Sequence, residues 1–110
     1  MSLKIFDKHE AMERIGDEKL IYELLDDIVE LAEESDEKIS KGMANNDFEA
    51  ILIASHTLKG TAANLALHQL SEAGSHFEND AKNQDSSRFP EYYDILKTAI
   101  NNFKEFLANK

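Results

Sequence analysis

Apolar side chains recur at helical spacing along almost the whole chain, and only one proline and four glycines interrupt them. This pattern constrains the fold most strongly, because a stripe repeating every three to four residues must be buried along one helix face. A short helix is predicted over Asp7 to Arg14, stopped by Gly16. Asp17 caps a long second helix with Leu20, Ile21, Leu24, Leu25, Ile28, Leu31 and Ala32 inward, extended by Ile39 before Gly42. Ala44-Asn45-Asn46-Asp47 reads as turn and cap. The third helix buries Phe48, Ile51, Leu52, Ser55, Leu58, Ala62 and Leu65. The fourth starts near His68 and turns Leu70, Ala73, Phe77 and Ala81 inward, and Asn83 to Ser87 form a loop. The last takes Pro90 in its first turn, where the missing N–H matters least, and buries Tyr93, Leu96, Ile100, Phe103 and Leu107. Long amphipathic helices with short connections predict an all-α fold. The expected arrangement is an antiparallel up-down four-helix bundle, with the short extra N-terminal helix as a lid.

At 110 residues the chain is expected to be a single domain over 1–110. Twenty-two acidic against 12 basic residues give a net charge of −10, which argues against nucleic acid or an anionic membrane as partner. No cysteine is present, so thiol, disulfide and zinc-thiolate chemistry are excluded. No apolar run approaches the roughly 20 residues of a membrane span, and no signal-peptide pattern opens the chain. A cytoplasmic monomer is the expectation. Met1-Ser2-Leu3 has the look of an added start, so the chain is either free-standing or a domain cut from a longer protein.

One stretch breaks the helical economy of the rest. Ser55-His56-Thr57-Leu58-Lys59-Gly60-Thr61-Ala62-Ala63-Asn64-Leu65 carries a glycine where its neighbours demand helix, at a cost of about 1 kcal/mol against alanine. Lys59, Gly60 and Ala63 follow His56 at i+3, i+4 and i+7, so all four share one face, with Asn64 at its margin. His56 itself lies about 40° past Leu52, at the edge of the buried stripe. The patch is an imidazole beside a fixed positive charge and bare backbone, open to a partner that brings its own active site. A neutral imidazole offers a free lone pair at neutral pH.

These residues resemble the signature of histidine-containing phosphotransfer (HPt) domains, a His-x-x-Lys-Gly core followed by small residues. The resemblance implies that His56 accepts a phosphoryl group from an aspartyl phosphate and passes it on. The implied partners are receiver domains of response regulators or hybrid histidine kinases, which supply the aspartate and its Mg²⁺. It also implies that Lys59 helps neutralise the phosphoryl oxygens and that Gly60 permits close approach. One departure stands out: the family often has glycine just after the position of Leu65, where this chain has Ala66. If that residue takes φ > 0, alanine adds roughly 1 kcal/mol of strain.

Phosphoryl transfer needs positioning and charge neutralisation more than covalent help from the protein. The chain has no Gly-rich phosphate loop and no Walker pattern, so it reads as a carrier rather than an enzyme with its own ATP site, needing no cofactor. If the third and fourth helices turn back near Leu67, Glu78 lies as far after the turn as His56 lies before it. Glu78 is therefore expected to accept Nδ1–H, fix the tautomer and leave Nε2 as nucleophile. Lys82, one turn beyond, is a second candidate cation on the partner surface, with Gly60, Ala63 and Asn64.

Rival features carry less. His68, Glu72 and His76 form a stripe, but one straight helix does not surround an ion, and no metal site is expected. His9 and Glu10 read as a surface pair. The runs Asp26-Asp27, Glu33-Glu34 and Asp36-Glu37 read as a solvated face without calcium-loop spacing. Ile5, Phe6 and Met12 either contribute to a receiver contact or cover the end of the helices. Two other functional classes stay open: the phosphoacceptor domain of a chemotaxis-type histidine kinase, and a non-catalytic helical protein-binding bundle.

Overall fold

The structure, a computed structural model, describes residues 3–109, so Met1 and Ser2 of the N-terminal reading lie outside the described residues. Among the described residues there are five helices and no strand: α1 (Lys8–Ile15), α2 (Glu18–Asn45), α3 (Phe48–Asn64), α4 (His68–Lys82) and α5 (Phe89–Ala108). None is long and apolar enough to cross a membrane. Three starts have the same local cause. Asp7, Asp17 and Asp47 each accept a backbone N–H three residues on, from Glu10, Leu20 and Ala50, at 3.1–3.2 Å.

α2 packs against α3 and α5, α4 packs against the same two, and the four close a ring around one core. Ile21, Leu25, Ile39, Ile51, Leu58, Leu70, Phe77, Leu96 and Phe103 are fully buried in it. Several inward assignments shift. Leu20 is exposed and Leu24, Leu31, Phe48, Leu52 and Leu107 are half-buried. On α5 the buried tyrosine is Tyr92. Tyr93 sits at the edge of the core, where its hydroxyl donates to Asp36 Oδ1 at 2.6 Å, as a phenol with a wet end prefers.

α2 also runs past Gly42 to Asn45, because Gly42 serves packing rather than termination. A Cβ there would stand 2.6 Å from Ile51 Cγ1. The chain turns instead at Asn46, whose φ of 53° suits asparagine better than most residues.

The α3–α4 turn is a Schellman ending. Ala66 N–H donates to Ala63 C=O at 3.1 Å and Leu67 N–H to Ala62 C=O at 2.9 Å. Ala66 occupies the position that glycine usually takes, with φ of 56°, and is fully buried. The N-terminal segment holds this turn. Asp7 N–H donates to Ala66 C=O at 3.0 Å, Gln69 N–H donates to Lys4 C=O at 3.2 Å, and the Arg14 guanidinium donates to Ala63 C=O. Phe6 meets Tyr22 and Phe106, with Ile5 and Met12 half-buried beside the core. Of the two roles open to these three residues, covering the end of the helices is the one observed.

Strain at Ala66 of about 1 kcal/mol is offset by a buried methyl of similar worth. Ala66→Gly is therefore expected to move stability by less than about 1 kcal/mol. Ala66→Val, β-branched at positive φ in a filled site, is expected to lose at least about 2 kcal/mol. Urea denaturation midpoints of the two variants check both outcomes.

Candidate functional site

α3 and α4 pack closely, and glycine lets them. Gly74 lies on the face of α4 turned to α3, where a Cβ would stand 2.9 Å from Ser55 O and 3.0 Å from Lys59 N. Glu78, one turn further on, is thereby set against the His56 turn. Its side chain is only 9% exposed, and its two oxygens are divided. Oε2 lies 2.8 Å from His56 Nδ1 and Oε1 2.9 Å from Lys59 Nζ. The partnership expected from the hairpin geometry is present.

The chemistry of the pair follows from the carboxylate. The hydrogen bond from Lys59 holds Glu78 below the usual carboxylate range, with that from His56 adding to it, against burial, which pushes the other way. An ionised carboxylate can only accept, so Nδ1 carries the proton, and in the neutral ring that leaves the lone pair on Nε2. The His56 side chain is 71% exposed, and Nε2 has no partner among the described residues. Lys59 is 37% exposed and uses one of three ammonium donors on Glu78, leaving two for an incoming anion.

The other predicted residues divide. Gly60 is exposed on the same face, and a Cβ there would meet nothing within 4 Å. Lys82 is exposed and lines one groove with His56, Glu78, Leu52, Ile53 and Thr57. Asn64 is exposed at the end of α3. Ala63 is half-buried, and its carbonyl is taken by Arg14.

Residues the sequence did not single out also gather here. Ile53 is 61% exposed one turn before Thr57 and separates the His56 groove from one bearing Lys38 and Lys41. Gly74 carried the signal that marked Gly60, an interior helical glycine. Ser71, on the same face of α4, donates its hydroxyl to Lys59 C=O at 3.3 Å.

The histidine stripe of α4 is split between partners. His68 Nε2 lies 3.3 Å from Glu10 Oε1, while His76 stacks on Tyr92 with ring centroids 4.9 Å apart. His9 pairs with Glu13 rather than Glu10, as i,i+4 spacing favours. Glu10 is engaged by Arg14 and His68 instead.

A buried carboxylate beside an exposed histidine and a lysine, on an all-helical fold, is the arrangement expected of the class of helical domain that the His56 motif resembles. Consistent with that class, a family model described as the Hpt domain matches residues 23–106. The chain belongs to the Hpt domain family, whose activity is histidine phosphotransfer in two-component phosphorelays. No curated protein sequence matches it significantly. Among solved structures it is similar to histidine-containing phosphotransfer protein B from Pseudomonas aeruginosa PAO1. That match has 20% identity and a TM-score of 0.84, covering 98% of this chain and 95% of the other. It is also similar to the HPT domain of a sensor hybrid histidine kinase from Shewanella. There the identity is 19% and the TM-score 0.75, with 96% of each chain covered.

Two outcomes are expected. Gly60 fills no space in the fold, so Gly60→Ala should raise stability by about 1 kcal/mol in urea denaturation. Glu78 has a lowered folded-state pKa, so its stabilisation is complete above its ordinary value of 4.5 and is lost as pH falls through the lowered one. The stability gap between wild type and Glu78→Gln should therefore be widest near neutral pH and close on acidification.

Proposed function

We propose that His56 is the phosphoacceptor of a phosphorelay carrier that takes its phosphoryl group from one receiver domain and gives it to another. The domain, spanning 1–110, is an antiparallel up-down four-helix bundle with α1 as an extra N-terminal helix. On this reading it is a monomeric cytoplasmic protein without an ATP site. The observation that carries the reading is the bond from Nδ1–H to an ionised Glu78, which leaves an unpartnered Nε2 on an exposed ring.

The Nε2 lone pair attacks phosphorus in the receiver's aspartyl phosphate. An N–P bond forms as the P–O bond breaks, and the aspartate leaves as a carboxylate. The imidazole keeps its Nδ1 proton and becomes cationic, and Glu78 offsets that charge across 2.8 Å. The two free donors of Lys59 face the phosphoryl oxygens. Transfer to a second receiver runs the same steps in reverse.

Gly60, Ala63 and Asn64 leave the strip beyond His56 low, so a receiver can bring its own pocket to the ring. Ile53 gives the contact an apolar point, with Lys82 on one side and Lys38 and Lys41 on the other. Lys38 and Lys41 share their groove with Glu34 and Asp47, so that side of the contact carries both signs of charge.

The test is phosphotransfer from a panel of phosphorylated receivers. Wild type should gain an acid-labile, base-stable phosphate and His56→Gln none. Glu78→Ala and Lys59→Ala should stay folded and transfer on the order of tenfold or more slowly. Labelling only by an ATP-bound kinase domain would favour the chemotaxis-type phosphoacceptor. No labelling of a folded chain by any donor would leave a protein-binding bundle.

A further inference from the structure

The exposed His56 ring is oriented entirely from α4, and α4 meets the His56–Lys59 turn through a single line of residues. Ser71, Gly74 and Glu78 stand at i, i+3 and i+7, on one face. The Ser71 hydroxyl donates to Lys59 C=O at 3.3 Å, Gly74 lies against Ser55 O, Lys59 N and Lys59 Cα, and Glu78 bonds both His56 and Lys59. Every atom that Gly74 approaches is backbone of a hydrogen-bonded helix, so no rotamer change can relieve a side chain placed there.

We propose that Gly74 is a positioning residue for phosphotransfer: with Ser71, it sets how deeply α4 docks on α3 and so whether Glu78 can hold His56 in its Nδ1–H tautomer. A methyl at position 74 would sit 2.9 Å from Ser55 O, where ordinary contact begins at 3.4 Å, so the helices must part by about 0.5 Å. The bonds of Glu78, now 2.8 and 2.9 Å, would then pass beyond good hydrogen-bond length. A glutamate in a docked helix has little reach to follow. The effect on transfer rate rests on His56 being the phosphoacceptor, but the effect on the ring does not.

The test uses ¹⁵N- and ¹³C-labelled full chain, reading the His56 ring nitrogens for tautomer and the Glu78 carboxyl for its titration. Phosphorylation is followed separately, with phosphoramidate and with phosphorylated receivers. In wild type the Nδ1–H form should dominate. In Gly74→Ala the two tautomers should mix, the Glu78 titration should move up toward its ordinary range, and transfer should slow on the order of tenfold. Gly42→Ala is the control for lost packing alone, since its methyl would strike the Ile51 side chain in the first turn of α3 rather than the α3–α4 contact. It should lose stability yet keep the wild-type tautomer and rate.

A folded Gly74→Ala chain with wild-type tautomer and Glu78 titration overturns the proposal. Should that variant fail to fold, Ser71→Ala makes the same test without steric demand, and an unchanged His56 tautomer there overturns it equally. Mixed tautomers in the variant, in a protein that no donor phosphorylates even as wild type, would support the positioning role and sink the phosphoacceptor reading instead.

Discussion

The Glu78 carboxylate is the point on which the rest of the site depends. An ionised group with a 9% exposed side chain must be compensated or it would neutralise. Both compensating donors come from one turn of α3. Lys59 supplies a full charge and His56 a neutral N–H, and the two oxygens are shared between them. The same arrangement settles the proton on the ring, keeps the second nitrogen bare and leaves the ammonium with spare donors. Burial of the carboxylate and exposure of the ring thus give a histidine that is fixed in orientation with its second nitrogen facing solvent.

Three helical glycines show how the fold reserves space for different purposes. Gly42 admits Ile51 and Gly74 admits the backbone of α3, so each is explained within the molecule. Gly60 admits nothing, although it carries the same penalty in helix propensity. Its position on an exposed face, one turn from the His56 ring, fits the approach surface proposed for a receiver.

Much of this was legible in the sequence, for definite reasons. Helix positions followed from periodicity and from aspartates at three N-termini. The pairing of Glu78 with His56 followed from an antiparallel hairpin hinged near Leu67, because residues equally far from a hinge meet. What stayed hidden depended on side-chain direction across helices. Tyr92 and Tyr93 are equally aromatic, and only the angle of α5 decides which is buried. Ile53 reads as one more apolar residue until α2 and α4 are seen to leave it uncovered. Gly42 looked like a stop because glycine often ends helices, whereas the residue that ends this one is Asn46. His9 was matched with its chain neighbour, but a helix brings the fourth residue closer.

The contacts of α1 bear on where this protein begins as a folding unit. The family model starts at residue 23, inside α2, although the structural likeness to a solved phosphotransfer protein covers 98% of the chain. Yet Asp7 and Arg14 occupy the carbonyls of Ala66 and Ala63, at the turn where alanine stands at a positive φ. Cutting the chain at the family boundary would return those carbonyls to water and release a backbone held by its surroundings in a sparsely populated conformation. The family match and the contacts that hold the α3–α4 turn therefore begin at different residues. The N-terminal segment holds Ala66 in a conformation that a glycine would adopt without strain.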